Sequence, residues 1–148
     1  MNVYLCGPIA GLTAEKAAGG WRDEAAYLLA GHGLTSVSPM RGKFALLGGE
    51  GVLGKNGYEG HPITTEHGVF KRDRNDVRTA DCMLAYLAGA EQVSIGSMVE
   101  FGWADAFNVP IVSVIGDKHA HIFTRQASTY VFSNLTDAVK GVCQLLNR

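Results

Sequence analysis

Short apolar runs alternate with helix-periodic stretches along this 148-residue chain. Val3 to Cys6, which breaks into Gly7-Pro8, Cys82 to Leu87 and Ile111 to Val114 are short apolar runs that predict strands, and Leu34 to Ser38, closed by Pro39, is a further strand candidate. A fifth, shorter strand is predicted at Tyr130 to Phe132. Between the first two, Trp21, Ala25, Leu28 and Leu29 recur at helical spacing, predicting one helix from an N-cap at Thr13 to a stop at Gly31 or Gly33. Gly19 and Gly20 weaken its first turns. A polar helix is predicted over Thr65 to Thr79, another from the S94-I-G-S stretch through Phe107, a short one over Ile122 to Ala127, and a last one from Leu135. Strands apolar on both faces, alternating with helices, predict an α/β chain whose parallel sheet is covered on both sides. Such sheets bind ligands beyond the carboxyl ends of their strands. The turn Gly7 to Gly11, the polar segment before the third strand and the helix start after it should therefore line one crevice. Residues 41–67 are glycine-rich, aperiodic and longer than an ordinary loop, which predicts an active-site lid.

Composition narrows the class. With 47% apolar residues and no linker, the chain fits one domain spanning 1–148. Its 13 basic and 14 acidic residues are interspersed, so no basic stripe suits polymeric nucleic acid, while a small anionic metabolite stays open. Cys6, Cys82 and Cys143 are odd in number and two lie in apolar strand runs, which predicts reduced thiols and a cytoplasmic protein. No stretch reaches the roughly 18 apolar residues of a membrane span, and the N-terminus lacks a signal-peptide pattern, so a soluble protein without a membrane partner is expected.

Several motifs have plain readings. Gly49-Glu-Gly-Val-Leu-Gly54 matches G-x-G-x-x-G but follows no strand and opens no helix, and Gly54-Lys55-Asn56 lacks the hydroxyl of a phosphate-binding loop. Neither calls for a cofactor. His119 and His121 have no third ligand at metal-binding spacing, so solvated or substrate-facing histidines are expected and no metal. Asn134-Leu-Thr136 is a glycosylation sequon without consequence unless the chain is secreted.

Glu100 stands apart. Met98, Val99, Phe101, Trp103 and Ala104 around it are apolar, which predicts a helix buried most of the way round, with the glutamate buried or lining a cavity. It is then either a carboxylate stabilised near a helix N-terminus or one held without a strong cationic partner, free to act as nucleophile or base. Asp73 and Asp76 lie one turn apart on the helix before the third strand, with Asp81 at its end, and spacing alone does not say which reaches the crevice. Tyr4, near the carboxyl end of the first strand, is either plain core or a phenol in need of a partner, which a crevice carboxylate would supply.

Three blocks, V3-Y-L-C-G-P-I9, R72-D-R-N-D-V-R-T-A-D-C-M-L84 and S94-I-G-S-M-V-E-F-G-W-A104, resemble the nucleoside 2-deoxyribosyltransferase family and its nucleotide N-hydrolase relatives. The resemblance implies a flavodoxin-like, Rossmann-like doubly wound domain of about five mainly parallel strands, and a small nucleoside or nucleotide as substrate. It further implies that Glu100 attacks the anomeric carbon to give a covalent glycosyl-enzyme, that Asp73 protonates or hydrogen-bonds the departing base, and that Tyr4 orients the nucleophile. Gly7, Pro8 and Ile9 in the first block, and Ser94, Gly96 and Ser97 in the third, match substrate-binding positions. Family sites are completed across a subunit interface, which implies a homodimer or larger assembly, with His121 and Thr124 in the segment lent to the neighbour. Six residues before the nucleophile, base-exchanging transferases tend to carry aspartate, whereas the nucleotide N-hydrolases tend to carry serine, as Ser94 does here. A carboxylate repels a 5'-phosphate and a hydroxyl at a helix N-terminus donates to it. The expected substrate is therefore a nucleoside 5'-monophosphate cleaved to free base; the alternatives are base exchange between deoxynucleosides and a non-catalytic nucleotide-binding module. Trp21, Phe44, Tyr58 and Phe70 are candidates for stacking on the base.

Overall fold

The structure, a computed structural model, describes residues 1–43 and 64–147. Among the described residues, eleven strands and α-helices follow in order: β1 (Asn2–Cys6), α1 (Ala14–Ala18), α2 (Trp21–Gly31), β2 (Thr35–Val37), α3 (Glu66–Thr79), β3 (Cys82–Tyr86), α4 (Ile95–Ala106), β4 (Ile111–Val114), α5 (Ile122–Ala127), β5 (Tyr130–Phe132) and α6 (Leu135–Leu145). The strands form one parallel sheet in the order β2-β1-β3-β4-β5. This is the flavodoxin-like doubly wound order, whose direction of winding reverses between β1 and β3.

Each inner strand is apolar on both faces because both are covered. Val3, Leu5, Cys82, Leu84, Val112 and Val114 point to one side, where they pack with Ala25 and Leu29 of α2 and with Ala138, Val139 and Val142 of α6. Tyr4, Cys6, Met83, Ala85 and Ile111 point to the other, against Val77 of α3 and Phe101 and Ala104 of α4. The two-residue period of β1 thus puts Tyr4 and Cys6 under α3 and α4, while Val3 and Leu5 serve the opposite core. All three cysteines are buried free thiols.

The single helix predicted after Thr13 is two. Thr13 caps the five-residue α1 through its side chain, and the chain then breaks at Gly19 and Gly20 before α2 begins. Gly20 adopts φ 62° at the start of α2, a conformation that strains a residue with a Cβ. The helix α4 is likewise not buried most of the way round. Ser97, Glu100, Phe101 and Ala104 face inward at i, i+3, i+4 and i+7, whereas Ile95 is 80% and Val99 39% exposed. Its apolar residues outnumber what the sheet alone can cover. Asn134 of the sequon caps α6, accepting from the Asp137 N–H at 2.9 Å. Among the described residues no helix is long and apolar enough to cross a membrane, and no cluster of His, Cys, Asp or Glu could hold a metal ion. The lid predicted over 41–67 falls mostly on residues 44–63, outside the described residues, as do Phe44, Tyr58 and the Gly49–Gly54 motif.

Candidate active site

Beyond the carboxyl end of β1 the two faces of the sheet contribute to one group of ionisable side chains. Glu100, on the inward stripe of α4, is 8% exposed. The Tyr4 hydroxyl donates to its Oε1 at 2.7 Å across 96 residues of sequence. Among the described residues Glu100 makes no ion pair. Burial pushes its carboxyl up to about 7; hydrogen bonds from Cys6 and Tyr4 pull it down, Asp73 nearby raises it, and the Arg22 charge lowers it. Tyr4 and Cys6 are themselves held well above their usual values, chiefly by burial and then by the Glu100 charge, so both remain protonated donors.

Asp73 and Asp76, which spacing could not separate, have different surroundings. Asp76 is committed to Arg41, whose Nη1 lies 2.6 Å from Oδ2 and whose Nη2 donates to Oδ1 at 2.8 Å. The Asp73 charge raises the pKa of both Glu100 and Tyr4. Its Oδ2 is 3.7 Å from Lys43 Nζ and its Oδ1 3.5 Å from Arg72 Nε, yet Oδ1 accepts no hydrogen bond among the described residues. Burial raises the Asp73 carboxyl, against the lowering pull of Lys43 and Arg72. Arg72 also donates to the carbonyls of Pro39 and Arg41, so α3 and the turn after β2 are tied together and Lys43 is carried in under Asp73.

The start of α4 is open and free of acids. Ser94 is its N-cap, accepting from the Ser97 N–H at 3.3 Å and from the Ser97 hydroxyl at 2.9 Å. With two donors on its oxygen, the Ser94 hydroxyl proton points elsewhere, and the first turn carries no acidic residue. A Cβ added at Gly96 would meet nothing within 4 Å. The Ser94 N–H donates to His119 Nε2 at 3.0 Å. His119 is accordingly neutral with its proton on Nδ1; at 1% exposure it is not the solvated histidine that was one of the two expectations, and burial lowers its pKa.

The turn after β1 closes the group. Gly7 is irreplaceable on geometry, since an added Cβ would sit 2.7 Å from Trp21 Cζ2 and 2.8 Å from the Tyr86 carbonyl. Pro8 and Ile9 follow it, half-buried. Trp21 stacks on Tyr86 at 5.2 Å between centroids, and Phe70 packs edge-on to Trp103 at 4.9 Å. His121 and Thr124 are not brought to Glu100 within the chain. His121 is exposed as the N-cap of α5, while Thr124 is buried in its own protomer, its hydroxyl 3.7 Å from the Met98 sulfur. Both line a cavity of about 600 Å³ bordered by α4 and α5, whose lining includes Asp105 and His119 but not Glu100.

Three participants escaped the sequence reading. Arg22 had a signal, for with Ala25 and Leu29 it falls on the buried i, i+3, i+7 stripe of α2. Lys43 had none, lying in aperiodic sequence. Cys6 read only as core.

A family model described as nucleoside 2-deoxyribosyltransferase matches residues 3–143. Among solved structures, a 2-deoxyribosyltransferase from the psychrotolerant bacterium Bacillus psychrosaccharolyticus superposes with a TM-score of 0.66 at 16% identity, over 94% of this chain and 90% of its own. The Clostridium botulinum CMP N-glycosidase BcmB superposes with a TM-score of 0.60 at 14% identity, over 98% of this chain and 99% of its own. No curated protein matches by sequence.

Proposed function

The chain belongs to the nucleoside 2-deoxyribosyltransferase family, and from that membership we propose that it hydrolyses the N-glycosidic bond of a nucleoside 5'-monophosphate through Glu100. The observation that carries the reading is the pair formed by a buried, ion-pair-free carboxylate with a phenol donating to it, beside an acid-free helix start. The Glu100 carboxylate attacks C1' as the bond to the base breaks, and the departing base takes a proton from Asp73, whose burial favours the protonated form. Water then attacks C1' and cleaves the glycosyl ester, giving its proton to the Asp73 carboxylate, which restores both carboxyl groups and yields the sugar 5-phosphate with net retention. Tyr4 holds the attacking oxygen in place. The 5'-phosphate lies against the Ser94 and Ser97 hydroxyls and the first free N–H groups of α4, where the helix dipole favours an anion. Gly7, Pro8 and Ile9 form the facing wall.

The chain works as a homodimer or larger assembly in this reading. Support comes from Ile95, Val99, Ile122 and Phe123, exposed apolar residues of α4 and α5 that a second copy would cover. His121 is the residue placed to reach a neighbour. The buried thiols suit a reducing, cytoplasmic setting.

The test is a panel of ribo- and deoxyribonucleoside 5'-monophosphates, with CMP included because a protein of the same fold is a CMP N-glycosidase, assayed chromatographically for free base. Release from at least one nucleotide, abolished in Glu100→Gln, is expected; no release from any overturns the reading. Base exchange is the second reading, favoured by a Ser94 hydroxyl that also suits a neutral 5'-hydroxyl. It predicts a new nucleoside when a second base is added to a deoxynucleoside.

A further inference from the structure

Beyond β4 the chain turns tightly. Gly116 packs against the residues just past β3, where an added Cβ would sit 2.8 Å from the Leu87 carbonyl oxygen, and the His119 N–H donates to the Gly116 carbonyl at 3.0 Å. This short 3-10 turn, Asp117–His119, carries a buried imidazole to the start of α4. There Nε2 accepts the Ser94 N–H at 3.0 Å, while Nδ1 is buried without a partner among the described residues. A buried N–H left unpaired costs stability that an apolar side chain of similar size would not, so filling space is a poor reason for a histidine here. The bond to Ser94 is a better one. Ser94 begins α4, and what its N–H bonds to sets how the chain enters the helix. With Ser94 in extended backbone, its side-chain oxygen accepts from the Ser97 N–H at 3.3 Å and from the Ser97 hydroxyl at 2.9 Å. Both acceptor sites of that oxygen are then used, and its own hydrogen is left for a partner outside the cap.

We propose that His119 is a positioning residue for the 5'-phosphate: by holding the Ser94 N–H it fixes the cap whose hydroxyl meets the phosphate. The inference rests on the reading that lays the phosphate against the start of α4, and goes beyond it by naming the group that orients that start. The role requires an acceptor at the place of Nε2. An imidazolium could not accept the N–H, and a side chain without an acceptor there would leave that donor buried and unpaired. Glu100 lies one turn beyond Ser97 on the same helix and takes its 2.7 Å bond from Tyr4 without help from His119. The task of His119 therefore concerns the binding of the phosphate rather than the cleavage of the glycosidic bond.

The experiment compares His119→Ala, His119→Asn and His119→Gln with the parent in the full chain. It reads KM and kcat for the best nucleotide of the panel, the Ki of the matching nucleoside as a competitor, and the Kd of inorganic phosphate from phosphorus NMR line widths, which needs no turnover. Glutamine carries its oxygen about where the imidazole carries Nε2, whereas the asparagine oxygen falls at Nδ1. His119→Ala and His119→Asn should raise the nucleotide KM and the phosphate Kd about tenfold, and His119→Gln should bring both back to within about threefold of the parent. Changes in kcat and in the nucleoside Ki should be several-fold smaller. Equal losses for nucleotide and nucleoside, or a glutamine variant as impaired as the asparagine one, assign His119 to structure alone and overturn the proposal. A parental phosphate Kd in His119→Ala does the same. Should His119→Ala fail to fold, the comparison of asparagine with glutamine decides. Phosphate binding weakened in Ser94→Asp but not in the His119 variants sinks this proposal alone; weakened in none of them, it sinks the reading that places the phosphate at this helix start.

Discussion

At Glu100 the surroundings favour the neutral acid, and the proposed chemistry needs the anion, so pH should expose the conflict. With its carboxyl at about 7, ionisation of Glu100 should make kcat/KM for the nucleotide rise about tenfold per pH unit below that value, and loss of the proton that Asp73 gives the base should bring it down again at higher pH. A profile flat down to pH 5 would exclude Glu100 as the group that must ionise. Stability should move the opposite way. The folded-state value lies above the ordinary 4.5, so the stabilisation it carries is full below the unfolded value and is lost as pH rises through about 7. Glu100→Gln should consequently gain on the parent at pH 8 relative to pH 5, by up to about 3 kcal/mol, measurable as a widening gap in Tm. Tyr4→Phe removes the 2.7 Å donor, a bond to a charged group worth about 1.5–3 kcal/mol. Activity at pH 7 should fall roughly 10- to 100-fold and the acid limb should move up. A phenylalanine variant with parental kinetics would reduce Tyr4 to core packing.

At the scale of elements, the proposed phosphate site is the start of α4. Ser94→Asp keeps a good N-cap, since aspartate accepts from the same N–H groups, so the Tm should change little. It also places a carboxylate where the 5'-phosphate would lie. KM for the nucleotide should increase tenfold or more, while a neutral nucleoside is bound as well or better. Equal effects on both substrates would mean that the phosphate does not lie at this helix start. The helices also explain where the sequence misled. Periodicity through Trp21, Ala25 and Leu29 continued plausibly back to Thr13, but a glycine pair with φ 62° at Gly20 ended one helix and began another. In α4 apolar composition was read as burial, yet Ile95 and Val99 face outward. Composition counts how many residues would gain from being covered, and only packing says which are.

For the whole molecule, exposed apolar residues on α4 and α5 and an exposed His121 support sites shared between subunits. Mixing two inactive variants tests this directly. Glu100→Gln and His121→Ala chains, each expected to be inactive by itself, should regain part of the parental activity once their subunits exchange. No recovery under conditions where exchange is shown by mass would place each site within one protomer.

The sequence by itself determined the five-stranded α/β order, the apolar character of both sheet faces and the three blocks that converge beyond β1, because these are set by local periodicity, turn residues and spacing. It also singled out Glu100 and Tyr4, since a polar residue among apolar ones is visible without coordinates, whereas Asp73 was distinguished from Asp76 only by the family resemblance. Only the tertiary structure decided that Asp76 is paired with Arg41 and Asp73 with Lys43 and Arg72. It alone set Arg22 against the Gly7 carbonyl, Lys43 under Asp73 and His119 behind Ser94. These are contacts between residues far apart in the chain or in aperiodic turns. Charge and burial act through space, so the protonation of a buried group depends on which neighbours the fold delivers, and linear spacing carries no record of that.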